Sequence, residues 1–158
     1  MRRGEFTYMT MLGIQGDVEA FMREVARQDL PEYPTTPDTN TIQLRASLIT
    51  EEIDETLHAL NLLTMSDKKS KLEEISLWAE LADGIVDSIV VLVGTASAFG
   101  IDLENVWERV HRSNMAKADG PIREDGKRLK PEGWQAPNIL AEIREQVAEH
   151  DFADKKIG

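Results

Sequence analysis

Two short stretches concentrate acidic side chains among residues that otherwise favour burial. LITEEIDETLHAL, residues 48 to 60, carries Glu51, Glu52, Asp54 and Glu55, and WAELADGIVDSIVVLVG, residues 78 to 94, carries Glu80, Asp83 and Asp87. At about 100° per residue, a helix places Glu51 and Glu55 on one face with Glu52 on its flank, and aligns Glu80, Asp83 and Asp87 in one stripe. Such stripes are ordinarily solvated. Here Asp83 and Asp87 sit between GIV and SIVVLV, which leaves no evident solvent-facing stripe. Clustered, partly buried carboxylates repel one another unless they bind protons or cations. Oxygen donors without cysteine and with little histidine suit magnesium, with manganese as a substitute. Such ions pair with phosphate oxygens, so the indicated chemistry is hydrolysis of a phosphate ester or phosphoanhydride, with a carboxylate orienting or deprotonating the attacking water.

The composition narrows the partners. Against 18 basic residues stand 29 acidic ones, and the net charge of -11 would repel a nucleic acid backbone. No nucleic acid polymer is expected as a partner. The absence of cysteine excludes disulfides and thiolate metal sites and suits a reducing cytoplasm, the expected location. The N-terminal MRRGEFTYMTMLG lacks the continuous apolar stretch of a signal peptide, and the longest uncharged run, Ser88 to Ile101, is too short to span a bilayer. No membrane segment is expected.

The elements that must position the carboxylates are helical throughout. Val18, Phe21, Met22 and Val25 give residues 16 to 28 an amphipathic period. DLPEYPTTPDTN then forms a linker that ends in capping residues. A long second helix, about 39 to 63, carries Ile42, Leu44, Leu48, Ile49, Ile53, Leu57 and Leu60 on a wide apolar face, and TMSDKKS ends it. The third, about 71 to 99, is apolar nearly all round in its second half and should be the central helix, with Gly100 as its stop. The fourth, IDLENVWERVHRSNMAKA, has Asp102 as cap and Leu103, Val106, Trp107 and Val110 facing inward. PNILAEIREQVAEH is a short last helix. The length fits one domain, residues 1 to 158, with an extension at 1 to 15, a loop at 119 to 137 and a C-terminal helix and tail at 138 to 158. The fold class is all-α around a four-helix core.

The loop region is a second chemical feature. Residues 112 to 130 hold six basic side chains against three acidic ones. Lys117, Arg123, Lys127 and Lys130 are candidates to hold the distal phosphates of a substrate and stabilise a leaving pyrophosphate. Trp134 either stacks on a base or anchors the loop by burial. Asn114 either bonds substrate or caps the fourth helix. DGPIREDGK lacks the ligand spacing of an EF-hand.

EEIDE followed by ELAD resembles the EExxE…ExxD signature of the all-α nucleotide pyrophosphohydrolases, which include the MazG proteins, the dimeric dUTPases and phosphoribosyl-ATP pyrophosphohydrolase. The resemblance runs through DGIVDSIVVLVGTASAFGID and VHRSNMAKADGPIREDGKRLKPEGW, over roughly residues 40 to 137. It implies a four-helix-bundle core and metal-dependent cleavage between the α and β phosphates of a nucleoside triphosphate, giving monophosphate and pyrophosphate. It further implies that Glu51, Glu52, Glu55, Glu80 and Asp83 hold the metal and that Glu51 or Glu52 activates water. Asp87 lies outside the signature and is an extra or outer ligand. A house-cleaning role on deoxynucleotides, dUTP first among them, fits the MazG-like branch. The broad apolar surface of the third helix suggests self-association, and the resemblance implies a homodimer or a dimer of dimers.

Two rival readings remain. Glu55 with His58 and Glu108 with His111 are Glu-x-x-His pairs, of the kind that di-iron carboxylate bundles use in twos, with Glu51 and Glu80 available to complete the set. The other rival is a helical interaction module without catalysis.

Overall fold

The computed structural model describes residues 11–65 and 70–154. These form five helices: α1 (Met11–Glu24), α2 (Thr39–Thr64), α3 (Lys71–Ala98), α4 (Glu104–Met115) and α5 (Ile139–Asp154). Among the described residues there is no strand, and one antiparallel bridge joins Ile122 to Arg128. The protein is an all-α bundle, as the periodicity predicts. Residues 1–10, 66–69 and 155–158 lie outside the described residues, and with them most of the expected N-terminal extension, part of TMSDKKS and the end of the tail.

Local chemistry sets the helix ends. Asp38 caps α2 by accepting from the Thr41 amide at 3.0 Å and the Thr41 hydroxyl at 2.9 Å. Those bonds, the amide first, hold its carboxyl below the usual range. Ser70 and Glu73 close a capping box at the start of α3. The first helix begins at Met11 rather than 16, because Met11 and Ile14 pack on the core. It ends early, and the chain then leaves through Arg27 at φ 55°. Asp102 sits one residue before the cap position of α4, and its side chain accepts from the Glu104 amide at 2.7 Å. The last helix starts after Asn138, which accepts from the Ala141 amide, and runs four residues beyond the expected end.

The helices α2 and α3 form a long antiparallel pair, and α1 lies against α3. The buried cluster consists of Val18, Met22, Val93 and Ala98, so the core sits where α1 meets the second half of α3. Gln15 ties this end together. Its side-chain amide donates to Ser97 Oγ and to the Ile101 carbonyl, and its oxygen accepts from the Leu103 amide. The fourth helix packs on α1 and α5 and touches neither α2 nor α3, so it flanks the core instead of completing it. Trp107, expected inward, is 55% exposed and stacks on His111, because no helix covers that face of α4. Arg109 bridges to α5 through Glu142 and Glu145, both at 2.7 Å. Burial alone would raise the Glu142 carboxyl, but hydrogen bonds from Gln146 and Arg109 overcome this and leave it lowered.

Much of the expected apolar face of α2 and α3 is uncovered: Ile53, Leu57, Leu60, Trp78, Ile85 and Ile89 are all exposed. By length and composition α3 is apolar enough to cross a membrane. In the fold it packs along α2 and α1, and it carries Asp83 and Asp87 near mid-length, charges that hydrocarbon would penalise.

Gly100 ends α3 at φ 66°, and a Cβ there would collide with the Tyr33 carbonyl of the linker that crosses this end. Gly100→Ala therefore combines left-handed strain with a backbone clash. It should lower unfolding free energy by roughly 1–3 kcal/mol, readable as a lower urea midpoint at unchanged slope.

Candidate active site

The carboxylates meet because α2 and α3 approach closely in one register. Gly84 lies against Thr56, where a Cβ would come within 2.9 Å of the Thr56 hydroxyl and 3.3 Å of its Cα. Thr56 and Ser88 hydroxyls are 3.1 Å apart, and both also bond the Glu52 carbonyl, at 2.9 and 3.3 Å. This register sets Glu52 beside Asp87 and Glu55 beside Asp83, with Glu80 a turn further along.

Two cavities flank the contact. One, of about 520 Å³, is lined by Asp54, Glu55, His58, Ala59, Glu80, Asp83 and Gly84. The other, of about 230 Å³, has Glu52 and Asp87 among largely apolar residues of α1, α2 and α3. Glu51 is exposed and lines neither, yet its charge acts on Glu52. Burial first, then the charges of Asp87, Glu55, Glu51 and Asp83, push the Glu52 carboxyl above its ordinary range. Among the described residues, no Lys or Arg forms an ion pair with any of these acids.

As the side chains stand, no three described acidic or histidine residues converge closely enough to hold an ion. The donor set nevertheless fits a hard divalent cation: oxygen ligands only, charge that no neighbouring cation offsets, and a carboxylate whose proton affinity is already raised. Holding one ion would require rotamer changes in Glu52, Glu55, Glu80 or Asp83.

The other sequence candidates lie elsewhere. Lys117 donates to Asn114 Oδ1 at 2.8 Å, so Asn114 braces the end of α4. Trp134 donates to the Ser113 carbonyl at 2.9 Å and carries Lys117 and Lys130 over its ring, which makes it a loop anchor. Arg123 is paired with Asp125, and Lys127 is exposed at the turn. The basic segment is thus a small hairpin braced on α4, and none of its residues lines either carboxylate cavity. The two Glu-x-x-His pairs are also separated. Glu55 and His58 lie on α2, whereas Glu108 and His111 lie on α4, which does not touch α2, so a shared di-iron site is not formed within the chain.

Sequence reasoning gave no role to Arg45, which is buried and shares the smaller cavity with Glu52 and Asp87. Its signal was a lone basic residue on the inward face of α2, seven positions before Glu52. It also missed Thr56, Gly84 and Ser88, whose small side chains permit the close contact.

An antiparallel helix pair with facing acidic clusters, EExxE on one and ExxD on the other, defines an all-α nucleotide pyrophosphohydrolase. The family model for phosphoribosyl-ATP pyrophosphohydrolase matches residues 16–114, from within α1 to the end of α4. The chain belongs to that family, a member of the MazG-like all-α pyrophosphohydrolase superfamily. No curated protein matches it.

The crowding around Glu52 has a stability consequence. Its folded pKa is raised, so the native state gains from its protonation, and that gain is lost as pH rises through the folded value. Without divalent cations, Glu52→Gln should therefore melt higher than the parent at about pH 7 and converge with it near pH 4, where the glutamate is largely protonated. Thermal unfolding followed by circular dichroism across pH checks this.

Proposed function

We propose that the protein hydrolyses the α–β phosphoanhydride of a nucleoside or deoxynucleoside triphosphate, with dUTP the first candidate, to monophosphate and pyrophosphate. The observation that carries this reading is Glu52, set at the α2–α3 contact in the field of four other carboxylates that no protein cation offsets. Glu51, Glu52, Glu55, Glu80 and Asp83 would hold Mg²⁺, or Mn²⁺ in its place, with Asp87 beside them. When bound, the ion supplies charge neutralisation for the phosphates and a lowered pKa for water. Glu52 is the better water-activating base of the adjacent pair, because its raised proton affinity moves it toward the operating pH while Glu51 stays exposed. A house-cleaning role in the cytoplasm suits a chain without cysteine.

The exposed apolar residues of α2 and α3 support a homodimer, in which a second copy covers them and completes a bundle. The basic hairpin, remote from the carboxylates of its own chain, would then reach phosphate only from the partner copy. Light scattering should give at least twice the 17.8 kDa chain mass, and a monomer at micromolar concentration would count against the assembly.

Pyrophosphate release with magnesium, measured over canonical triphosphates, dUTP and phosphoribosyl-ATP, tests the reaction. Glu52→Gln and Asp83→Asn should each lower kcat by roughly a hundredfold or more. Release that persists in both variants would remove the carboxylates from the mechanism.

A further inference from the structure

The smaller cavity has two chemically different ends. Arg45 precedes Glu52 by seven residues on α2, two turns or about 10 Å on the same face. Gly94 follows Asp87 by the same interval on α3. Because the helices are antiparallel, the intervals overlie each other. The result is a slot with two carboxylates at one end and Arg45 above Gly94 at the other, walled by Phe21, Met22 and Val91. At about 230 Å³ it falls below the range of pockets for drug-sized ligands. That volume and those apolar walls suit a ring system and exclude a triphosphate, which stays with the carboxylates.

Arg45 is only 8% exposed, and its Nη1 is buried without a hydrogen-bond partner among the described residues. A guanidinium has donors and no acceptor, and a buried donor left unmade is costly. A Cβ on Gly94 would lie 3.0 Å from Nη1, so glycine leaves that donor open to the slot. The missing partner is therefore an acceptor brought in by a ligand.

We infer that the slot takes the substrate base and that Arg45 donates to a ring carbonyl oxygen on it, which makes Arg45 a specificity-determining residue that favours keto bases over adenine. The inference rests on the hydrolytic reading for the placement of the phosphates. Guanine offers O6 beside N7 and uracil or thymine offers O4, whereas adenine presents its N6 amino donors beside N7. A group that only donates rejects an amino group as firmly as it welcomes a carbonyl.

The test compares the parent protein with Arg45→Met in kcat/KM for dUTP and dATP, by pyrophosphate release with magnesium. The parent should favour dUTP by roughly ten- to a hundredfold, the worth of one charge-assisted hydrogen bond, and the ratio should fall toward one in the variant. In parallel, deoxyuridine and deoxyadenosine, which carry no phosphate, are offered without metal and followed by ligand-observed NMR. Deoxyuridine should bind the parent and not the variant. If no triphosphate is cleaved but this difference in binding holds, the hydrolytic reading fails and the base slot stands. Equal use of dUTP and dATP by the parent, or an unchanged ratio in Arg45→Met, would overturn the inference, as would equal nucleoside binding in both proteins. If Arg45→Met does not fold, Gly94→Ala decides. It narrows the slot and keeps the charge, and deoxyuridine binding unaltered by it would overturn the assignment.

Discussion

The close contact of α2 with α3 at Gly84 is the constraint on which the site depends. With no side chain at Gly84, the backbone of α3 comes against Thr56, and the two hydroxyls of Thr56 and Ser88 fill the remaining space. Both hydroxyls also bond the Glu52 carbonyl, so the segment that carries Glu52 is held from its own helix and from its neighbour. A larger residue at position 84 would move the helices apart. Charges on opposite helices would then sit further from one another, with more water between them, and Coulomb coupling falls with both. The raised proton affinity of Glu52 is thus a consequence of helix spacing as much as of acidic composition.

Such crowding opposes folding, and the fold offsets it at a distance. The buried cluster lies where α1 meets the second half of α3, away from Glu80 and Asp83. There Gln15 joins α1 to Ser97, Ile101 and Leu103 with hydrogen bonds satisfied at both ends of its amide. Helix α1 also contributes Phe21 and Met22 to the slot that ends at Glu52 and Asp87. One short helix therefore seals the core and walls the site, which couples the stability of that end to the shape of the cavity.

The helices and the acidic signature were legible in the sequence because each rests on local periodicity. Spacing along α2 and α3 fixed which acids share a face, and Asp38, Ser70 and Gly100 marked helix ends by chemistry that needs no tertiary context. Register between helices was not legible. It depends on Gly84, Thr56 and Ser88, small residues that carry no hydrophobic signal. The inward face expected for Trp107 failed for a related reason: amphipathic period says that a face is apolar, and only topology says whether anything covers it. The placement of the basic hairpin follows the same rule, since its charge was plain but its anchoring on Trp134 and Ser113 is tertiary.

Separation of charge explains why the acidic cluster keeps its negative field. In a chain with this many acids, lysines or arginines beside Glu52 would stabilise the fold by ordinary pairing. They would also occupy the carboxylate oxygens that a divalent ion needs. Instead the cations are engaged locally: Arg123 with Asp125, Lys117 with Asn114, Lys117 and Lys130 over the Trp134 ring, and Arg109 with Glu142 and Glu145. Each of these pairings consumes a charge that might have migrated to the carboxylates. Arg45 is the exception in position but not in effect. It lies two turns from Glu52, with Nη1 over Gly94 and unpaired, near enough to share a cavity with the acids yet making no ion pair with them. The fold leaves both ends of that cavity unsatisfied, one lacking a cation and the other an acceptor, and a single nucleotide with its metal ion carries both.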